Sequence, residues 1–492
     1  MTIASGEAKA EVAARISDLL DEWGGIHGGG EPATWGDVRS QLNAALVFNS
    51  IEDIGAAESG LRARERINAL IVATPAQRRL LLDFADDYGL VIGPDGRSGA
   101  VGEIVTSQRA SGATYFDADG LMQVAGNNVL RLDHDPVTGE ALGALIEEQR
   151  TNFLLHSEAF ENTAWRKVGV TFSASGVPAP DGSNAMKMHE RTGTGLSRLD
   201  QGGTVTEGVT YTVSGFVRAG ERNHIELRTG SWSSSGRILV DLTSGVVTPI
   251  SSPEAYSIIP VYGGWYRISL TATAASSGSV TQLWVAHITD EHGNTTYSGD
   301  GTSGLYVWGA QVEQGAYPTS YIPTQGSQVT RAADQVRLAT SAFPFNSSEV
   351  TIFAEFATNR PPEAYATSND RAGVWGLLGS DNTIELRYQT QLQLEGRRDG
   401  GSFVNRNLGA QPPAGTFEKV AVALANDQSR VCRNGVLMPP ADNPVNLADI
   451  HTLFVGNTAI ASGGARVLKG PLKRLACYPR AMSDAELQAL MS

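Results

Sequence analysis

The sequence predicts a mainly β protein: two consecutive jelly-roll β-sandwiches preceded by a small α-helical N-terminal region. Three observations lead there. Short alternating runs recur between Thr151 and Gln311, among them Tyr211 to Val217, Ile225 to Arg228, Ile238 to Leu242, Tyr266 to Thr271, Gln282 to Ile288 and Leu305 to Val312. Each has the two-residue period of a half-buried strand. The chain carries 55 glycines, and segments such as Leu242-Thr243-Ser244-Gly245 and Tyr262-Gly263-Gly264 supply the tight turns that an all-β body needs. Apart from a short C-terminal helix, helical spacing runs only through the part before about Gly93.

In that first part, Val12, Ile16, Leu19, Leu20 and Trp23 form an apolar stripe from Lys9 to Trp23, closed by Gly24-Gly25. Thr34 can cap a second helix in which Val38, Leu42 and Leu46 repeat every four residues. A third helix is expected from Leu61 to Val72. A fourth has Thr74 as cap, Pro75 at its first position, Leu81 and Phe84 within, and Gly89 after its end. Residues 1–92 thus read as a helical attachment or oligomerisation region, either a bundle by itself or a docking module.

From Gly93 a β-rich connector follows to residue 149. Asp117 to Gly120 is a hairpin turn between Ala113-Thr114-Tyr115-Phe116 and Leu121-Met122-Gln123-Val124, and Asp135-Pro136-Val137-Thr138-Gly139 makes another corner. Residues 150–333 form the first sandwich and 334–492 the second. Val350 to Phe356 opens the second, Val431 to Val436 folds into a hairpin on Asn434-Gly435, and Ser483 caps a terminal helix with Glu486 as its capping-box partner. Leu487 and Leu490 would dock that helix on the sheet.

Composition narrows the function. With 492 residues, about three domains are expected, and 41% hydrophobic with 18% charged residues is enough for real cores. A net charge of −14 disfavours nucleic acid as partner. No run is long and apolar enough to insert in a membrane, and Met1 to Ala10 lacks the basic start of an export signal. Cys432 and Cys477, the two cysteines, read as buried free thiols rather than a disulfide.

Catalytic patterns are missing. There is no Gly-Lys phosphate loop, no Gly-x-Ser-x-Gly elbow, and no second histidine near His189-Glu190 at zinc-protease spacing. Asp117-Ala118-Asp119-Gly120 lacks the remaining ligands of a calcium loop, and Asp133-His134-Asp135 is better explained as a β-corner. No catalytic residue and no metal ligand is assigned.

Two stretches carry a resemblance. Leu305 to Asp334 (LYVWGAQVEQGAYPTSYIPTQGSQVTRAAD) and Arg131 to Ala159 (RLDHDPVTGEALGALIEEQRTNFLLHSEA) resemble the exit and entry of a carbohydrate-binding-module-like sandwich in tailed-bacteriophage virion proteins. The head spikes of gene transfer agents are similarly built. Residues 334–492 resemble a laminin-G or concanavalin-A-like sandwich, most clearly from Tyr478 to Leu490. Together the resemblance covers roughly residues 105 to 492. It implies a virion fibre or spike, assembled in the host cytoplasm, that attaches to other virion proteins through its N-terminal region. It further implies a homo-oligomer, trimer or pentamer, adhering to host surface polysaccharide, without enzymatic activity and without a cofactor. Relatives often hold structural calcium near the final strand, but Val307-Trp308-Gly309 has no adjacent acidic pair. Pure decoration of a particle and polysaccharide depolymerisation remain the alternatives.

Sugar rings stack on exposed aromatics while polar side chains fix their hydroxyls. Strict alternation turns Phe216 and Arg218 away from Val213 and Val217, puts Glu226 and Arg228 on one non-core face, and leaves Gln282 and Trp284 opposite Leu283 and Val285. Trp232 falls in the polar loop Ser231 to Gly236. The glycan-binding candidates are therefore Trp232, Trp284, Arg228, Gln282, Phe216 and Arg218, with Trp165, Trp265 and Trp308 assigned to the core.

Overall fold

The computed structural model describes residues 79–92, 97–230, 232, 236–251, 253–362, 371–398, 401–425, 428–442, 447–458 and 466–491. The three helices expected between Lys9 and Val72 lie outside the described residues. Two compact units divide the chain, one of Met1–Arg79 with Val91–Arg97 and one of Leu80–Leu90 with Ser98–Ser492. The second unit contains both sandwiches.

Among the described residues the first sandwich has thirteen strands. They are β1 (Arg166–Val168), β2 (Thr171–Pro178), β3 (Asn184–His189), β4 (Thr192–Val205), β5 (Thr210–Arg218), β6 (His224–Arg228) and β7 (Arg237–Asp241). Next come β8 (Val246–Pro249), β9 (Ala255–Val261), β10 (Trp265–Thr273), β11 (Gly278–Ile288), β12 (Thr296–Asp300) and β13 (Gly304–Gln314). One sheet runs β1-β4-β11-β6-β7-β8, with β12 added to β4; the other runs β2-β3-β13-β5-β10-β9. Neighbours are antiparallel and mostly far apart in sequence, as in a jelly roll. Leu199, Val213, Val217, Ile225, Leu227, Ala286 and Ile288 fill the space between the sheets. Full burial of each of the larger aliphatic side chains among them stabilises by roughly 1.5–3 kcal/mol.

The outer face of the second of these sheets is also covered. Phe216, Val261, Trp265 and Trp308 pack there with Met122 and Tyr321. Met122 comes from the hairpin of strands Ala113–Phe116 and Met122–Ala125. Its turn is the one expected at Asp117 to Gly120: Asp117 Oδ1 accepts from the amides of Asp119 and Leu121, and Gly120 takes φ of 76°.

The second sandwich pairs one sheet through β14 (Gln335–Ala339), β16 (Ala372–Leu378), β17 (Asn382–Tyr388), β18 (Gln391–Arg398), β19 (Gly401–Ala410) and β23 (Thr452–Val455). The other contains β15 (Glu349–Phe356), β20 (Glu418–Ala425), β21 (Gln428–Arg433), β22 (Val436–Asp442) and β24 (Gly470–Tyr478). Asn434 and Gly435 both have positive φ, 48° and 83°, as a tight two-residue hairpin requires. Helix α1 (Asp484–Ala489) has the expected capping box between Ser483 and Glu486, and Leu487 is fully buried.

Two features differ from the sequence reading. The connector is not merely a lead-in, because its strands join the second sandwich: Thr106–Gln108 pairs with β14 and Ala141–Ile146 with β24. The fourth expected helix is also corrected. Arg79–Asp83 and Tyr88–Ile92 are strands, and the former pairs Leu80 with Cys477 and Leu82 with Leu475. Leu80, Leu82 and Phe84 are buried at 0%, 0% and 1% exposure, a two-residue period that the Leu81/Phe84 spacing concealed.

Candidate functional site

The six sequence candidates do not converge on one place. Burial removes the aromatic ones as stacking platforms. Trp232 is 1% exposed, donates its indole N–H to Leu283 O at 3.3 Å, and meets Tyr211 edge-on at 5.6 Å. Trp284 is 2% exposed, donates to Ser214 O across the sandwich at 2.9 Å, and packs against Trp165. Phe216 lies against Trp308 and Tyr321 in the smaller core. Arg218 ends the same strand, opposite Trp265 and Tyr306. Trp165, Trp265 and Trp308 are buried.

Trp284 was misplaced by a β-bulge. The β4–β11 register runs Asp200↔Val285, Gln201↔Trp284, then jumps to Gly203↔Val280. The extra residues reverse the alternation, so Leu283 and Trp284 both enter the core.

Arg228 and Gln282 remain, and they share the outer face of the β1-β4-β11-β6-β7 sheet. The register builds this face row by row. Arg166 stands opposite Asp200, Asp200 opposite Val285, Val285 opposite Arg228, and Arg228 opposite Arg237. In the next row, Arg198 stands opposite His287 and His287 opposite Glu226. Two carboxylates organise the guanidiniums. Asp200 takes Arg166 Nε at 2.8 Å and Arg198 Nε at 2.7 Å, while Glu226 takes Arg237 Nη2 at 2.8 Å and Arg228 Nη1 only at 3.9 Å. With its amide oxygen turned to them, Gln282 accepts from Arg166 at 3.0 Å and Arg198 at 3.2 Å.

His287 sits in the middle. It is 2% exposed, and neither ring nitrogen has a hydrogen-bond partner among the described residues. Burial, reinforced by Arg228, Arg198 and Arg237, pushes its pKa down to about 3. The ring is therefore neutral at ordinary pH, offering one donor and one acceptor. Burial likewise lowers the pKa of Arg228. Alternation located Arg228, Gln282 and Glu226. Arg166, Arg198, Asp200, Arg237 and His287 join the face only through the strand pairing, although Arg198-Leu199-Asp200 carries the same polar-apolar-polar pattern.

A comparable arrangement occupies the second sandwich. Glu385 and Glu395 stand directly opposite each other on β17 and β18. Arg387 reaches both, at 2.8 and 2.6 Å, with Arg466 on Glu385 and Arg397 on Glu395. Burial raises the Glu385 pKa. Burial acts on Glu395 as well, but hydrogen bonds from Arg387 and Arg397 outweigh it and hold that carboxyl at about 2.

A cavity of about 550 Å³ lies away from both clusters, walled by Tyr256, Ile259, Arg267, Tyr317 and Phe417. The half-buried guanidinium of Arg267 in its wall is already engaged, stacking over Phe216 at 5.4 Å. The first-sandwich face is the stronger candidate because it gathers polar groups that the fold leaves underused. Among the described residues, no three His, Cys, Asp or Glu side chains are grouped to hold a metal ion.

Residues 330–488 match the family model of the concanavalin A-like lectin/glucanases superfamily. No curated protein matches the chain. Among solved structures, the chain is similar to the CBM40 of the Ruminococcus gnavus IT-sialidase bound to α2,3-sialyllactose, at 18% identity over 30% of this chain and 84% of that one, with a TM-score of 0.24. It is also similar to domain 4 of AbnA, a GH43 extracellular arabinanase from Geobacillus stearothermophilus in complex with arabinotriose, at 13% identity, 35% and 81% coverage and TM-score 0.27. Domains LG4-5 of the mouse laminin α1 chain match at 12% identity, 57% and 86% coverage and TM-score 0.21. The second sandwich thus has the fold of the concanavalin A-like, laminin G-like model that it matches.

Proposed function

We propose that this protein is a non-catalytic adhesin that binds surface polysaccharide, carried as a fibre or spike on a phage-like particle. The observation that carries the binding half is the outer face of β4, β11 and β6, where Arg228 and His287 are collected with weak or no internal partners. A sheet face rich in fixed donors, beside a lectin-type sandwich, suits polyhydroxylated ligands. The particle half rests on the resemblance of residues 131–159 and 305–334 to phage virion proteins. The test is binding of the full chain to host cells with and without their surface polysaccharide. Adhesion that disappears on stripping supports the reading. Equal adhesion to stripped cells, or none, contradicts it.

A polysaccharide depolymerase is the second reading. It draws on the cross-strand pair Glu385 and Glu395, whose proton affinities are driven apart, the condition for separate acid and base roles. Against it, Arg387 ties both carboxylates together. Release of new reducing ends that E385Q abolishes would favour this reading over adhesion alone.

A further inference from the structure

We propose that the outer face of β1, β4, β11 and β6 holds the carboxylate or sulfate of an acidic saccharide, with Arg228 as the principal anchor. This rests on the glycan-binding reading above and specifies its ligand.

Charge is the first ground. The face brings four guanidiniums, Arg166, Arg198, Arg228 and Arg237, around two carboxylates, Asp200 and Glu226. Within this group two positive charges are left over, in a chain whose net charge is −14, while Asp241 on the same sheet face is occupied by Ser244 and the Thr243 amide of its own turn. A neutral sugar gives such an excess nothing to neutralise, whereas an anion meets charge-assisted hydrogen bonds from preset donors.

The distribution of partners is the second ground. Asp200 engages Arg166 and Arg198 at short range, and Glu226 engages Arg237, so three guanidiniums are held in position. Arg228 is 3.9 Å from its carboxylate, and its side chain is 26% exposed. It is partly desolvated without a close counter-charge, an arrangement that costs free energy in the empty site and is relieved by an incoming anion.

His287 supplies the third ground, independent of charge. Its two ring nitrogens are buried and unpartnered on the same face, between Arg198 and Glu226 in register. A buried polar side chain without partners calls for an explanation, and a bound group is one. A saccharide hydroxyl, both donor and acceptor, matches a neutral imidazole.

The test is a glycan array carrying neutral, uronate-bearing, sialylated and sulfated oligosaccharides, probed with the full chain and with R228Q, R166Q and R474Q. Arg166 is 49% exposed, and its loss leaves Asp200 paired with Arg198, so R166Q keeps the test usable if R228Q unfolds. Arg474 is a 40% exposed control on the second sandwich. The expected result is binding to acidic members that R228Q weakens roughly tenfold or more, R166Q less, and R474Q not at all, with unchanged melting temperatures. Preference for uronates and sialosides would assign the anion as carboxylate; preference for sulfated members would assign it as sulfate. Binding to neutral members alone overturns the proposal while leaving glycan binding intact. Acidic binding indifferent to both R228Q and R166Q overturns it as well. Binding to no member overturns it together with the glycan-binding reading.

Discussion

Arg131 Nη2 lies 2.5 Å from Asp334 Oδ2, an ion pair between the start of one distinctive sequence stretch and the end of the other. Arg109 takes the second oxygen of Asp334 at 2.8 Å, and Glu147 binds both Arg131 at 2.9 Å and Arg331 at 2.7 Å. All five side chains are at most 5% exposed. Burial opposes ionisation of Glu147, yet Arg331 and Arg131 hold its pKa at about 2. The two stretches thus close the first sandwich, binding the chain's entry to its exit.

Asp334→Ala leaves Arg109 and Arg131 buried with one carboxylate fewer. Removing one partner of a buried pair costs about 3–5 kcal/mol. Denaturant unfolding of D334A should show a loss of that order. A change below about 1 kcal/mol would mean that the network is not what closes the module.

Asp133 gives the stability a pH dependence. Burial pushes its pKa up to about 7, partly offset by the Phe116 amide that it accepts at 2.8 Å. In the unfolded chain it titrates near 3.8. A raised folded pKa contributes stability that is fully present below the unfolded value and lost as pH rises through the folded one. Asp133→Asn keeps an acceptor for Phe116 and cannot ionise. Its melting temperature relative to the wild type should therefore rise between pH 4 and pH 8; a constant difference would contradict the assignment.

Cys432 and Cys477 are buried free thiols. They lie on β21 and β24, which are separated in the sheet by β15 and β20. Three strand spacings amount to about 14 Å, twice the Cα separation of about 7 Å beyond which no disulfide forms. Burial also raises both thiol pKa values. Native protein should resist alkylation at both positions and take up two labels on denaturation. Rapid labelling of the folded chain would contradict that picture.

Trp284 and Arg228 should separate stability from binding. Trp284→Ala empties the sandwich centre and should cost about 3–5 kcal/mol, whether or not a glycan is present. R228Q should leave the unfolding midpoint nearly unchanged and weaken glycan adhesion. Calorimetry beside a binding titration measures both, and the opposite pattern would refute the placement of the two residues.

Much of this architecture is written locally. Alternation marks the strands, Asn434-Gly435 the hairpin, and Ser483 with Glu486 the terminal cap, since each depends on neighbours in sequence. The strand Arg79–Asp83 is hidden in the sequence because a short apolar run fits helical spacing as well as alternation. The candidate site was half legible. Arg228 and Gln282 follow from the two-residue period, but the bulge between Gln201 and Gly203 inverts Trp284. The long-range pairing that sets His287 between Arg198 and Glu226 has no local signal.

The proposed ligand site places saccharide on the arginine face of the first sandwich. Arginine-specific footprinting of the full chain, with and without the cell-surface polysaccharide to which it adheres, reads that face directly. Arg166, Arg228 and Arg237 should become shielded on binding while Arg474 keeps reacting at its free rate. Adhesion that leaves all four equally reactive would place the sugar elsewhere and contradict the claim.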